Sequence, residues 1–195
     1  LNTIQFLHQG IILDACCVIN LYSSQHMGEI LLSLRAHPIS IATSTYIKTK
    51  EALYILDEVD EDRQKKRIPI DLEPFVESDL LRIVQEDFDA LADDMIVLGA
   101  NGVNDTGEQI CGAIARQQNW AIALDDRKAR AKLAQLFPNN QLLTTLDLLK
   151  YWADTSEIDG DILRTVFENI KKGGRYVPHK ENQHYLWAAP YLPDF

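Results

Sequence analysis

"NDTGEQICGAIARQQNWAIALDDRKAR", residues 104–130, reads as one continuous unit of helix, strand and helix. The spacing predicts a helix over 105–118. The short apolar run "WAIAL" (120–124) predicts a buried strand, and 127–136 returns to a helical pattern. Carboxylates mark both joints. Asp105 and Glu108 stand where the first helix begins, and Asp125 and Asp126 stand where the strand stops. The unit therefore aims four acids at what can be one edge of a sheet.

The same grammar extends outward in both directions. "GIIL" (10–13) predicts a buried strand that ends on Asp14, and "ISIAT" (39–43) a second strand with β-branched residues. "LLRIV" (80–84) and "QLLTT" (141–145) complete the strand set. Helices are expected at "ACCVINLY", "HMGEILLSLRAH", "YIKTKEALYIL" (with Ser44 or Thr45 as its cap), "DFDALADDMIVLGA", "LDLLKYWA" and the amphipathic 160–173. Strands alternating with helices predict an α/β fold, its mainly parallel central sheet covered by helices on both faces. "DEVDEDRQKKRIPIDLEP" (57–74), highly charged with two prolines, reads as an exposed connection. The expected division is a domain over 1–155 and an appendage over 156–195. Within the appendage, the last helix leads to an aromatic and proline-rich arm with Tyr176, Tyr185, Trp187 and Tyr191. That arm should pack on the domain or on a second copy of the chain, as in a homodimer, because so much aromatic surface is costly to leave in water.

Composition narrows the chemistry. The 195 residues, 46% of them hydrophobic, suffice for one sizeable core. A net charge of −10 argues against non-specific duplex DNA binding, which phosphate neutralisation drives, and suits a divalent cation or a basic partner. Three cysteines, two of them adjacent at Cys16 and Cys17, give neither a disulfide framework nor a CxxC pair, so a reducing cytoplasmic location is expected. No apolar run is long enough for a bilayer, and no membrane partner is expected. GxSxG, Walker A, GxGxxG and HExxH patterns are absent, and the five histidines are scattered.

Each acid has an ordinary explanation. Asp14 can cap the helix from Ala15, and Asp105-x-x-Glu108 is close to a capping box. One of Asp125 and Asp126 can cap the helix that follows. Glu51 fits less easily, because a helix over 46–56 puts it on one face with Ile47 and Ile55, where an unpaired acid is expensive. Taken together, the acids come from two strand ends and two helices. Two carboxylates about 4 Å apart repel by roughly 4 kcal/mol at an effective dielectric near 20. A hard cation with oxygen ligands, Mg²⁺ or Mn²⁺, offsets that repulsion.

On these residues the chain resembles the PIN-domain family, most of all its VapC-like toxin ribonucleases and their relatives. The matching pieces are "IILDACCVINLY", "YIKTKEALYIL", "NDTGEQICGAIA" and "IALDDRKAR", spread over roughly 10–150, with "TTLDLLKYWAD" similar to the segment after the last strand. The resemblance implies a PIN-like, 5′-nuclease-like three-layer fold and a metal-dependent endoribonuclease, the toxin of a toxin–antitoxin pair, with RNA as substrate and an antitoxin protein as partner. Asp14, Glu51, Glu108 and Asp126 are then catalytic. Those four, with Asp105 and Asp125, form the metal-binding set for Mg²⁺ or Mn²⁺. Asn20 is a nearby polar support. Lys48, Lys50, Arg127, Lys128 and Arg130 are candidates to hold the RNA backbone, against the alternative of ordinary solubilising charge. Two features depart from a minimal toxin of this kind, the 57–74 segment and the C-terminal arm. The competing reading is a PIN-fold interaction protein that keeps its acids as caps and works through that arm. A phosphatase-like hydrolase with Asp14 as nucleophile is disfavoured, because Ala15-Cys16 follow where a second Asp is wanted.

Overall fold

The structure is a computed structural model that describes residues 4–35, 39–59 and 65–193. Five strands, β1 (Gly10–Leu13), β2 (Ser40–Ser44), β5 (Arg82–Val84), β6 (Ala121–Ala123) and β7 (Leu142–Leu143), form one sheet in the order β5-β2-β1-β6-β7. Every pairing in it is parallel, as the alternation of strands and helices predicts. Ile11, Ile12 and Leu13 are completely buried, which is why β1 carries a continuous apolar run instead of an alternating one.

Helices flank the sheet. α1 (Ala15–Ser23) packs on α8 (Gly160–Gly173), and α2 (Met27–Leu34) on α7 (Thr145–Thr155). α4 (Phe88–Ala100) and α5 (Thr106–Gln118) pack together, with α5 lying along β1, β2 and β6. α6 (Arg127–Leu136) joins β6 to β7. This is an α/β arrangement compatible with three layers. Gly112 of α5 faces its helical neighbours, where a Cβ would crowd Leu98 of α4 and Leu133 of α6. Cys111 does face the sheet, its thiol 3.9 Å from the Leu13 carbonyl.

The structure departs from expectation between 46 and 77. The helix expected over 46–56 is a single π-helical turn, Ile47–Glu51, and Tyr54 already belongs to β3 (Tyr54–Val59). The segment read as a charged connection holds β4 (Lys65–Pro69), antiparallel to β3, and a short helix α3 (Glu73–Glu77). Ile55 of β3 lies opposite Ile68 of β4, an apolar pair that the high total charge of the segment conceals. Residues 60–64 lie outside the described residues.

The C-terminal arm lies on its own chain. It contains α9 (Tyr185–Ala188) and a 3-10 turn, Ala189–Tyr191. Trp187 meets Phe167 of α8 edge-on at 6.2 Å and Tyr191 at 6.0 Å, while Ala188 is completely buried. Lys150 of α7 places its ammonium 5.3 Å from the Trp187 ring.

Candidate metal centre

Topology explains why the acids meet. The chain steps from β1 outward through β2 to β5, then returns to the far side of β1 as β6. The sheet reverses direction at β1, and open α/β sheets bind ligands at the carboxyl edge of such a switch point. Asp14 directly follows β1, and Asp125-Asp126 follow β6. A helix that leads into a parallel strand begins at the carboxyl edge, so α5 brings Asp105 and Glu108 to the same place. The π-helical turn after β2 brings Glu51.

The five side chains Asp14, Glu51, Asp105, Glu108 and Asp126 share one electrostatic neighbourhood. The Glu108 carboxyl is pushed up to about 7 by partial burial and then by Asp14, Asp126, Asp105 and Glu51. Glu51 is likewise pushed up to about 7, by burial and by Asp105 and Asp14, against the pull of the Gly107 backbone. Burial also raises Asp14, which accepts a hydrogen bond from the Cys16 thiol at 2.8 Å.

The choice between cap and ligand divides these residues. Asp14 sits at the N-cap of α1 yet makes no side-chain capping hydrogen bond. Asp105 does cap α5, its Oδ1 accepting from the Glu108 amide at 3.1 Å, and Asp126 caps α6, its Oδ1 accepting from Ala129 at 2.8 Å. In both, the hydrogen bond engages one carboxylate oxygen and leaves the other for a second role.

Asp125 is placed differently from the rest. Its carboxylate accepts from the Thr145 amide at 2.9 Å, the Thr145 hydroxyl at 2.6 Å and Asn20 Nδ2 at 2.9 Å. It ties the end of β6 to the start of α7 while also lining the cleft beside α6. Of the two strand-end acids, Asp126 rather than Asp125 faces the cluster. Asn20, only 2% exposed, is the polar support expected of it, though it supports Asp125 and Thr145 instead of a ligand directly.

Among the described residues, the one group of three potential ligand atoms mutually within 4.8 Å is Cys16, Cys17 and Asp125. Its members are already hydrogen-bonded. Cys16 donates to Asp14 and accepts from the Asp125 amide at 3.2 Å, and Cys17 accepts from Thr145 at 3.4 Å. Both thiols are pushed up, Cys16 first by its neighbour Cys17 and Cys17 first by burial, and such thiols are poor thiolate donors. The five carboxylates are more loosely spread, as expected for like charges that repel. Their oxygen donors suit Mg²⁺ or Mn²⁺.

The basic candidates separate as well. Lys48 is held by Glu73 at 2.5 Å, and Arg127 by Glu181 at 2.6 Å and His179 at 2.8 Å. Lys50 and Lys128 are exposed, and Arg130 is half-buried.

Sequence reasoning missed Gly107. A Cβ at this position would overlap both carboxylate oxygens of Glu51, so Glu51 rests directly on the backbone at the start of α5. Glu86 was also missed. It accepts from the Tyr46 amide at 2.7 Å, while Ser44, one of the two expected caps, accepts from the Ile47 amide at 3.0 Å, and together they fix the turn that carries Glu51. Gly107 and Glu86 act across the fold and leave no local signal.

No family model, curated protein or solved structure matches this chain.

Proposed function

We propose that this chain is a metal-dependent nuclease with a PIN-like fold that cleaves RNA phosphodiester bonds. One observation carries the reading: Glu108 feels Asp14, Asp126, Asp105 and Glu51 at once, at the sheet's switch point. Five acids gathered from four separate stretches of chain destabilise the fold unless something offsets their charge.

Asp14, Glu51, Glu108 and Asp126 would hold Mg²⁺ or Mn²⁺, with Asp105 beside them. The bound ion would lower the pKa of an attacking water and neutralise charge developing on the phosphate. Glu51 and Glu108, with carboxyls near 7, give up protons as they take up that role. Cys16 orients Asp14 through its thiol hydrogen bond. Lys50, Lys128 and Arg130 are the basic groups that would meet the RNA backbone. RNA as substrate and a toxin–antitoxin setting come from the family resemblance alone.

The second reading, a catalytically weak interaction protein, draws support from the capping bonds of Asp105 and Asp126. One pair of measurements separates the two. Wild-type protein should cleave RNA only with Mg²⁺ or Mn²⁺, and Asp14→Asn should cleave at background. In EDTA, Asp14→Asn should match or exceed wild-type stability, by about 1 kcal/mol, since it removes one member of a repulsive cluster. With Mn²⁺ the wild type should gain more than the variant. Equal Mn²⁺ stabilisation of the two proteins removes Asp14 from the site and favours the interaction protein.

A further inference from the structure

A cleft of about 840 Å³ opens beside the acidic cluster, between the N-terminal turn of α6 and the segment 175–182 of the arm. Asp125 and Asp126 are both in its wall, and through Asp126 the cleft and the cluster share a residue. Four basic side chains line it, Arg127, Lys128 and Arg130 from α6 and Arg175 from the arm. In a chain of net charge −10, that concentration of cations runs against the global field.

The cations are unequally satisfied. Arg127 is paired with Glu181, a residue of the arm in the same wall. Lys128, Arg130 and Arg175 form no ion pair among the described residues. The Nε of Arg130 is buried with no hydrogen-bond partner, and a buried unsatisfied donor is costly. Arg175 reaches the wall from a left-handed backbone conformation, φ 56°, which few non-glycine residues adopt. Guanidinium groups with open donors in a cleft call for a planar or tetrahedral oxyanion.

We propose that this cleft binds a backbone phosphate of single-stranded RNA neighbouring the phosphate at the acidic cluster, and that Glu181 competes for it through Arg127. The RNA assignment rests on the nuclease reading, and it follows from position: a strand crossing Asp126 runs directly into the cleft. An acidic site repels the substrate it cleaves, and an adjoining cationic subsite offsets that repulsion.

The test is binding of a short, fluorescently labelled single-stranded RNA by the full chain in EDTA, where no cleavage occurs, between about 50 and about 200 mM salt. Arg130→Gln and Arg175→Gln should each weaken binding about tenfold and flatten the log–log salt dependence by roughly 0.7, the value for one phosphate contact to a single strand. Arg175→Lys should keep the slope. Glu181→Gln should bind more tightly than wild type, an outcome that loss of folding cannot mimic. Unchanged slopes in both arginine variants, or no RNA binding by the wild type, overturn the proposal. Displacement of the RNA by an equal concentration of inorganic phosphate overturns the RNA assignment in favour of a free anion. A wild type that binds through the cleft yet never cleaves with Mn²⁺ sinks the nuclease reading and leaves the cleft standing. Cleavage with unchanged slopes does the reverse.

Discussion

Gly107 shows how much of the candidate site depends on a side chain that is not there. Glu51 occupies the space a Cβ would fill. Gly107→Ala should therefore move Glu51 away from Asp14 and Asp105. Thermal unfolding with EDTA and with Mn²⁺ should show a smaller metal-linked gain than in the wild type, with RNA cleavage reduced alongside. Asp125 behaves in the opposite way. Asp125→Ala strips acceptors from Thr145 and Asn20 inside the protein and should cost about 2–3 kcal/mol in denaturant unfolding. Asp14→Asn should cost nothing in EDTA. The two adjacent strand-end acids were indistinguishable in the sequence, because which of them turns inward is settled by Thr145, twenty residues on. Titration gives a third expectation. Glu51 and Glu108 lose their protons near 4.5 in the unfolded chain and near 7 in the folded one. Between those values the folded state binds more protons, so metal-free stability should fall as pH rises from about 4.5 to about 7, by an amount that solvent screening keeps modest. The stabilisation by Mn²⁺ should grow over the same range, because the ion needs both groups ionised. Unfolding at a series of pH values, with and without the ion, reads both trends.

At the scale of elements, periodicity identified what it is suited to identify. The buried strands at 10–13 and 39–43 and the amphipathic helices at 105–118, 127–136 and 160–173 lie within a residue or two of where their patterns place them. The segment 46–56 misled because Ile47, Glu51 and Ile55 recur at helical spacing, although a helix there stops after one turn. Tyr54 and Ile55 are β-formers, and their partners in β4 lie across a loop that local pattern does not reach. Glu51 still arrives at the acidic edge, held by a π-helical turn instead of a long helix. π-helical turns are rare and concentrate at functional sites. This turn is anchored by Glu86 from the loop after β5. Glu86→Ala should cost about 1 kcal/mol, the usual range for a lost cap, and should also lower Mn²⁺ stabilisation although Glu86 is not one of the clustered acids. Paired thermal scans against the wild type separate those two effects.

For the molecule as a whole, the arm's aromatics carry much of its attachment. Trp187 bridges Phe167, Tyr191 and the ammonium of Lys150. Trp187→Ala should destabilise the protein by about 2 kcal/mol, less than a fully buried tryptophan, since the ring is only half-buried. Limited proteolysis should then cut within 174–193 sooner than in the wild type. Composition foresaw that this segment would be packed, but the surface it would choose depended on contacts with α7 and α8 that no local pattern encodes.

The position of β1 at the centre of the sheet has a consequence for the order of events in folding. Ile11 pairs on one side with Ile41 and on the other with Ala121, a separation of 121 − 11 = 110 residues. During synthesis the first strand therefore waits with one edge bare until most of the chain has emerged, a high-contact-order closure of the kind that folds slowly. A product that stops before β6 carries that bare edge permanently and is prone to edge-to-edge aggregation. The acidic edge is likewise assembled late: Asp14 is made early, but Asp126 joins it only after β6 has docked.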